Sequence, residues 1–457
     1  MLCEYGADKA AKNADGFTPT KILSDRGLDE MVRVIQTSKP KRRVKIDVKS
    51  VQYKDQLDQL ARQANPSRIN ECRYDPDFIG KGAMSCVYLA IDENSRREMA
   101  LKRIDKTSFQ KSVKTEIETL KKLEQNQNVI NFYFMKEDEH FYYIALELMD
   151  GDLESLVQKT GYLNDEQTFK LARHIVGGLE FLHGKNMSHR DLKPGNILYR
   201  EKPELCLKLA DFDLAKHLNV PGADQTSTLY TTSSTSLCGT RGWMAPELVK
   251  REKIPSKETD MYALGLLLHF LFSKGFHPFH SSSISLSVAV RSITLRPHEL
   301  ETDICQDKAQ FHKGLKPEQR HLVKCLLQNV PSQRPSSKGL MKQHCYFWSN
   351  MKKVEFMQTI GNQPEVAKPT STPTSTFGSQ LQVSSFGRNL TNWSAPISAL
   401  YQEVCSRRPY DTSSVVGLIR FFRNSYAHFQ ERSPDRRDEL LKDHFQSVPR
   451  VLSDRLD

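Results

Sequence analysis

The spacing of apolar residues changes along the chain and divides it into parts with different expected structures. Residues 74–348 alternate between strand-like and helix-like spacing, which predicts an α+β domain. Apolar residues then lie mostly on one face of a predicted helix at 354–360, and a second apolar stripe follows at 415–422. The longest apolar run, Met261–Phe272, is far shorter than the ~20 residues that span a bilayer. We therefore expect no membrane span.

These patterns give four regions. A polar linker is predicted between a small helical unit and the α+β domain, and its basic cluster, Lys39–Lys45, has two interpretations. It is either a nuclear-localisation or RNA-contact patch or, as charge runs usually are, a solvated segment. The regions are 1–36, the helical unit; 37–73, the linker; 74–348, the α+β domain; and 349–457, a C-terminal part with a Ser/Thr/Pro-rich flexible loop at about 364–390.

The first region contains signals for a turn and a helix start. Asp15-Gly16 suits a β-turn, and Thr18-Pro19 opens a helix that we expect to run to about Val34. Signals in this order resemble the junction between two ankyrin repeats, so the region is interpreted as a partial, ankyrin-like repeat.

Composition and charge narrow the classes of protein. The 457 residues carry a net charge of +11, which suits a polyanionic partner such as RNA but is weak evidence alone. The nine cysteines are scattered without a C-x-x-C pair, so a disulfide framework or zinc site is not expected. Charged residues and a glycine occur by Glu4–Lys9, so we expect no signal peptide there. We expect a reducing, cytoplasmic location.

A glycine-containing segment between two predicted strands suits phosphate binding. Gly80 and Gly82 allow the backbone to approach phosphate closely, and Val87 ends the motif. Lys102, on the next predicted strand, suits the nucleotide phosphates if a carboxylate orients it. Glu116 is the expected partner; Glu118 is the alternative, although it points about 200° away around the helix.

A second group of polar residues suits phosphoryl transfer. In the segment His189–Asn196, Asp191 can accept a proton from an attacking hydroxyl, and Lys193 can neutralise the transferred phosphate. Asn196 and Asp211 supply oxygen ligands for a metal ion. The segment Ala245-Pro246-Glu247 follows a Gly239-Thr240 pair.

In order and spacing, these motifs resemble those of a eukaryotic protein kinase over residues 74–348. The resemblance implies a bilobal fold, Ser/Thr phosphotransfer, pairing of Glu247 with Arg334, and contact of Asp260 with the catalytic loop. Asp213 replaces the family's usual glycine and restricts the backbone there, so we hypothesise that nucleotide binding survives while the switching of this segment is altered. The implied ligands are ATP and Mg²⁺, bound by Gly80, Gly82, Val87, Lys102, Glu116, Asn196 and Asp211, with Asn196 and Asp211 as metal ligands.

Ser, Thr and Tyr are abundant at Thr226–Ser236, between the metal-binding aspartate and the Ala-Pro-Glu segment. Phosphates there would add charge that could order the loop against arginines. The alternative is a polar loop without this role.

The stretch Tyr410–His428, whose apolar stripe at 415–422 is typical of a helix, carries residues that are adequate for RNA cleavage without a metal. His428 and Tyr410 can exchange protons with the 2′-hydroxyl and the leaving oxygen. Arg423 can stabilise the charged transition state, and Asn424 can position a phosphate oxygen. From the residues alone, His428 is more often a helix-surface histidine.

A kinase-like domain fused directly to an extension that carries Arg-Asn-x-x-x-His resembles the KEN-type kinase/endoribonuclease family. This family comprises the unfolded-protein-response kinase/endoribonuclease and RNase L, the 2-5A-dependent ribonuclease. The resemblance implies a small all-α ribonuclease domain at 349–457, a nucleotide-bound homodimer and an RNA substrate. It makes Tyr410, Arg423, Asn424 and His428 the ribonuclease residues. The ankyrin-like start and Asp-Phe-Asp favour the RNase L-like branch.

Three functions follow from these observations. The first is an ATP-binding kinase-endoribonuclease whose nucleotide-bound dimer cleaves RNA by metal-independent transesterification. The second is a Ser/Thr protein kinase with an inert C-terminal docking module. The third is a non-catalytic scaffold.

Overall fold

The computed structural model of the chain separates it into two compact units. The first comprises 1–125, 130–151 and 199–206, and the second comprises 126–129, 152–198 and 207–457. The residues that the structure describes are 12–13, 15–37, 46, 48–63, 65–82, 85–107, 125–160, 163–211, 216–217, 239–279, 297–363, 401–402 and 410–430. The predicted loops at 226–236 and 364–390 lie outside these residues.

A glycine divides the predicted N-terminal helix into two, α1 (Pro19–Asp25) and α2 (Asp29–Thr37). The Thr18 hydroxyl accepts a hydrogen bond from the Lys21 N–H and caps α1, as expected. The single helix predicted to run to Val34 is wrong, because Gly27 adopts φ +70° and ends α1. Residues 1–11 of the region interpreted as an ankyrin-like repeat lie outside the described residues, so the ankyrin assignment stays a prediction.

The first unit is built on a six-stranded antiparallel sheet with strand order β1-β2-β3-β4-β6-β5. Alternation of side chains across β3 gives the sheet two apolar faces: Tyr88 and Ala90 belong to one cluster, and Leu89 and Ile91 to the other. The strands are β1 (Ser67–Ile69), β2 (Cys72–Lys81), β3 (Ser85–Asp92), β4 (Arg97–Asp105), β5 (Phe132–Glu137) and β6 (Phe141–Leu146).

Part of the region predicted as a polar linker packs onto this sheet. Helix α3 (Lys54–Arg62) buries Leu57 and Leu60 in the same cluster as Leu89 and Ile91. The two leucines are three residues apart, so they lie on one face of an otherwise polar helix. The polar composition of this segment therefore conceals a short amphipathic helix.

Buried polar contacts fasten the segment before α3 to the same unit. The Ser50 hydroxyl donates to the Asp150 carboxylate at 2.6 Å, and the Ser50 N–H donates to Glu98 at 3.1 Å. Burial raises the pKa of Glu98, opposed by the backbone N–H groups of Ser50 and Lys49. These contacts join residues about 50 to 100 positions apart.

The second unit is mainly helical, and with the sheet unit it confirms the predicted α+β class. Its apolar run forms α7, which is buried on every side, as expected for a central helix. Gly265 allows close packing there, since a Cβ would lie 2.9 Å from a side-chain atom of Leu326. The helices are α4 (Leu153–Thr160), α5 (Asp165–Gly184), α6 (Pro246–Val249), α7 (Lys257–Phe272), α8 (Pro297–Cys305), α9 (Pro317–Leu326), α10 (Leu340–Gln343), α11 (Asn350–Gly361) and α12 (Val415–Gln430).

The remaining elements among the described residues are five short strands and three 3-10 turns. They are the strands β7 (Gly151–Asp152), β8 (Met187–Ser188), β9 (Ile197–Arg200), β10 (Cys206–Leu209) and β11 (Lys216–His217), and the 3-10 turns Pro194–Asn196, Pro331–Gln333 and Cys345–Phe347. Within the described residues, every helix is too short or too polar to cross a bilayer.

The helix predicted at 354–360 is α11, and it packs on the helices of the second unit. Lys353 forms an ion pair with Glu318 of α9 at 2.6 Å, and the Trp348 ring meets Phe356 edge-on at 5.1 Å. Its C-terminal end packs against α12. The C-terminal extension is thus continuous with this helical unit.

Candidate functional sites

The sheet aligns three of the predicted nucleotide-binding residues in one row. Gly80 pairs with Val87 across β2 and β3, and Val87 pairs with Lys102 across β3 and β4. Lys102 is buried, at 7% exposure. Directly paired residues of an antiparallel sheet share a face, so the lysine and Val87 project to the same side.

The two glycines differ in what the surrounding protein requires. A Cβ at Gly80 would meet only Val87, at an ordinary 3.7 Å. The Gly82 N–H donates to the Ser85 carbonyl at 2.8 Å, which closes the turn between β2 and β3. Glycine at position 80 is therefore not demanded by the contacts within this sheet. Glu116 and its alternative Glu118 lie outside the described residues.

In the second unit, Asp191 is the centre of a network of hydrogen bonds. Its carboxylate accepts from the Lys193 ammonium at 2.8 Å, from the Asn196 amide at 2.9 Å and from the Thr240 hydroxyl at 2.6 Å. Lys193 also donates to the Thr240 hydroxyl at 2.8 Å. The structure thus brings together three predicted site residues.

Thr240 is a member of this network that the sequence analysis did not assign. Its only signal was the Gly239-Thr240 pair before Ala245-Pro246-Glu247. Forty-nine positions separate Thr240 from Asp191, so spacing along the chain does not reveal the contact.

Asp260 of α7 forms hydrogen bonds with the backbone of the segment that carries Asp191. The buried Asp260 carboxylate accepts from the backbone N–H of His189 at 2.7 Å and of Arg190 at 2.9 Å. It also lies 3.0 Å from the His183 ring. Burial alone would raise the pKa of Asp260, but the hydrogen bond and charge of His183 hold it below its usual value. The expected contact of Asp260 with the catalytic loop is therefore present.

The predicted metal ligands lie on neighbouring segments of backbone. The Ala210 N–H donates to the Asn196 carbonyl at 2.9 Å, and the His189 ring contacts the Ala210 carbonyl at 3.1 Å. Asp211 adopts φ +65°, a left-handed conformation that aspartate tolerates better than most residues. Phe212 and Asp213 lie outside the described residues, so the hypothesis about Asp213 stays a prediction.

The expected pairing of Glu247 with Arg334 is present and fully buried. The two guanidinium NH groups donate to the two carboxylate oxygens at 2.7 and 2.8 Å. The Arg334 side chain has no exposure, and its guanidinium lies 4.9 Å from the Tyr262 ring centre. This bidentate pair joins α6 to the segment that follows the 3-10 turn Pro331–Gln333.

In the C-terminal part of the chain, three predicted ribonuclease residues form a continuous chain of hydrogen bonds. The Asn424 amide donates to the Tyr410 phenolic oxygen at 2.6 Å, and the Arg423 Nε donates to the Asn424 amide oxygen at 2.9 Å. Tyr410 precedes α12, while Asn424 and Arg423 belong to it. We call the set Tyr410–Asn424–Arg423 the relay.

Two residues outside the predictions hold the ends of the relay. The Arg423 guanidinium donates to the Gly361 carbonyl at the end of α11, at 3.1 Å. The Tyr401 hydroxyl accepts from the Tyr410 N–H at 3.0 Å and donates to the Tyr410 carbonyl at 3.2 Å. Nothing in the sequence analysis marked either residue, because both act through contacts with distant parts of the chain.

The start of α12 depends on a glycine. A Cβ at Gly417 would lie 2.3 Å from the Asp411 carbonyl oxygen. Glycine therefore allows the segment after Tyr410 to turn tightly into the helix. His428 lies within α12, four positions after Asn424.

One cluster of possible metal ligands occurs among the described residues, in the second unit. Nitrogen or sulfur atoms of His321, Cys325 and His344 lie within 4.8 Å of one another. The His344 Nδ1 accepts the Tyr346 N–H at 3.1 Å, so its Nε2 carries the proton of a neutral ring and donates to the His321 Nδ1 at 2.9 Å. The nitrogens are thus engaged in a hydrogen-bonded pair of imidazoles.

Comparison with known families agrees with this arrangement. The protein kinase domain family matches residues 75–347, and the Ribonuclease 2-5A family matches residues 353–452. The chain therefore has the two domains of a protein kinase and a KEN-type ribonuclease.

Several curated proteins are similar to this chain. It is 28% identical over 389 residues to serine/threonine-protein kinase/endoribonuclease IRE1 of Oryza sativa subsp. japonica, covering 81% of this chain and 40% of that protein. It is 28% identical over 383 residues to serine/threonine-protein kinase/endoribonuclease IRE2 of Homo sapiens, covering 81% and 39%. It is 31% identical over 215 residues to MAP kinase-interacting serine/threonine-protein kinase 1 of Xenopus laevis, covering 45% and 51%.

The chain belongs to the protein kinase family and, with its ribonuclease domain, to the KEN-type kinase/endoribonuclease family. It spans about two fifths of the length of the curated kinase/endoribonucleases that it matches. The predicted family is confirmed. Its RNase L-like branch stays a prediction.

Proposed function

We propose that this chain is an ATP-binding kinase-endoribonuclease that cleaves RNA without a metal ion in the cleavage step. The observation that carries the proposal is the relay: Tyr410, Asn424 and Arg423, selected from the sequence, are joined by hydrogen bonds. A phenol, an amide and a guanidinium in contact are groups suited to binding and cleaving a phosphodiester.

The proposed reaction is a transesterification within the RNA. The 2′-hydroxyl oxygen attacks the adjacent phosphorus, and the bond from phosphorus to the 5′-oxygen breaks. One group removes the proton of the 2′-hydroxyl and another protonates the leaving 5′-oxygen; His428 and Tyr410 divide these roles. Arg423 stabilises the extra negative charge of the transition state. The products are a 2′,3′-cyclic phosphate and a 5′-hydroxyl.

Each unit contains residues that suit nucleotide binding. Lys102 suits the phosphates, and the space beside Gly80 suits a close approach of ligand to backbone. Asn196 donates through its amide nitrogen to Asp191, so its amide oxygen and the Asp211 carboxylate are the hard donors that would hold Mg²⁺. When bound, the metal screens the charge of the nucleotide phosphates.

Nucleotide is proposed to act as a conformational ligand. A nucleotide that binds one arrangement of the kinase domain more tightly shifts the chain toward it, whether or not phosphate is transferred. We propose that this arrangement forms a homodimer that places two ribonuclease domains together, and that it acts in the cytoplasm.

A labelled stem-loop RNA tests the proposal. Purified protein is incubated with RNA and ATP or ADP in Mg²⁺, and again at high protein concentration with a chelator. We expect nucleotide-stimulated cleavage in Mg²⁺ and residual cleavage in the chelator. His428→Ala should lower the rate by ~10²–10⁴-fold, the usual contribution of a general acid or base, without weakening ATP binding. His140→Ala, an exposed histidine of the sheet unit, is the matched control.

The second candidate is a Ser/Thr protein kinase with an inert extension, favoured by the complete hydrogen-bond network around Asp191. Phosphate incorporation that is lost in Asp191→Asn, with no RNA cleavage under any condition, would establish it. Cleavage by His428→Ala at the rate of the unmodified chain would refute the assignment of His428.

A further inference from the structure

Tyr401 makes contacts with Tyr410 that its packing alone does not require. Its single hydroxyl satisfies both the N–H and the carbonyl of Tyr410, at 3.0 and 3.2 Å. Its ring stacks on Phe421 of α12, with ring centres 5.5 Å apart, and the Tyr410 ring meets Phe421 edge-on at 5.6 Å. Phe421 is fully buried. The two tyrosines thus rest on one buried ring of the ribonuclease helix.

We infer that Tyr401 is a positioning residue for RNA cleavage, acting through Tyr410. This inference rests on the proposed function, because it assigns Tyr401 a role in the reaction proposed there. Tyr401 contributes no group to the relay itself. It determines instead where the Tyr410 backbone lies, and hence where the Tyr410 phenol meets the Asn424 amide.

The backbone of Tyr410 needs a support outside α12. Tyr410 is not part of α12, so the helix does not fix its backbone. The phenolic oxygen must nevertheless lie within hydrogen-bond distance of the Asn424 nitrogen, as it does at 2.6 Å, for the relay to be continuous. A pair of hydrogen bonds to both polar groups of one peptide residue restricts translation and rotation, which a single contact does not. Reacting groups misplaced by about 1 Å lose ~10²-fold in rate, so such a constraint has catalytic value.

Tyr401→Phe tests the inference, because it removes the hydroxyl and keeps the ring on Phe421. We expect kcat for RNA cleavage to fall by about tenfold, the effect of losing one or two hydrogen bonds, with KM unchanged. In a Tyr410→Phe background, Tyr401→Phe should have no further effect on kcat, because its influence passes through the Tyr410 phenol. Tyr142→Phe, on strand β6 of the other unit, is the matched control and should cleave normally.

A spectroscopic measurement separates this inference from the proposed function. With 3-fluorotyrosine incorporated throughout, the resonance of Tyr410 is assigned by its loss in Tyr410→Phe. Tyr401→Phe should shift that resonance, and Tyr142→Phe should not.

The outcomes then divide clearly. An equal loss of kcat from Tyr401→Phe in both backgrounds means a general structural role and overturns the inference. If the unmodified chain cleaves no RNA, the proposed function fails. The fluorine resonance of Tyr410 then decides by itself whether Tyr401 constrains Tyr410. A shift then supports the positional constraint on Tyr410, and an unchanged resonance overturns it.

Discussion

Replacing Arg334 by methionine should destabilise the helical unit severely. The guanidinium makes five hydrogen bonds: two to Glu247 and one each to the carbonyls of Gln328, Glu258 and Asn329. The variant keeps much of the side-chain volume but leaves the Glu247 carboxylate, which is 5% exposed, without its cation. Breaking one side of a buried ion pair costs about 3–5 kcal/mol. Since domains are stable by roughly 5–15 kcal/mol, we expect a large fraction of the stability to be lost.

The assay is urea unfolding followed by the fluorescence of the chain's three tryptophans, two of which, Trp243 and Trp348, are described residues of the same unit. Arg334→Lys keeps the charge but not the planar fork, so it should also be destabilised, because lysine cannot bind both carboxylate oxygens in the same way. Lys338→Met, a nearby exposed position, is the control for loss of a surface cation. A free energy of unfolding within about 1 kcal/mol of the unmodified chain for Arg334→Met would refute the reasoning, since breaking a buried pair costs several times as much. Adding Glu247→Gln to Arg334→Met should restore part of the stability.

Two further predictions concern the relay and the response to acid. Gly361→Ala places a Cβ 2.9 Å from the Arg423 Cβ, so α11 and α12 must move apart. We therefore expect the rate of RNA cleavage to fall about tenfold or more. Helix content, measured by circular dichroism, should be unchanged. Burial lowers the pKa of His269 to about 4, and the neutral ring is used fully: Nδ1 donates to the Phe276 carbonyl and Nε2 accepts the His312 N–H. Because the folded pKa is below the unfolded value, this stability is complete above pH 6.5 and is lost as the pH falls toward 4. Because burial also lowers the pKa of His344, both proteins lose stability on acidification. The loss between pH 7 and pH 5, measured by urea unfolding, should be about 2 kcal/mol smaller in His269→Gln. An equal loss in both proteins would contradict the assignment.

Local patterns were sufficient for the architecture of the chain. The alternation of β3 and the apolar run of α7 depend on neighbours within a few positions, so their periods predict a strand and a buried helix. The same is true of the motifs around Lys102 and Asp191, whose residue types and spacing identify the family. Local patterns failed at α3, where a polar segment carries only two buried leucines, and at Gly27, where one glycine ends a helix.

The sequence by itself therefore determined the family and the presence of a kinase and a ribonuclease domain, and it predicted Tyr410, Asn424 and Arg423 as ribonuclease residues. Only the tertiary structure decided which residues support them. Thr240 meets Asp191 across 49 positions, and Gly361 meets Arg423 across 62. Such contacts leave no periodic trace, because they depend on where whole helices and loops pack. A hydroxyl such as that of Tyr401, and a carbonyl that any residue at position 361 would carry, acquire a role only from their place in the folded chain.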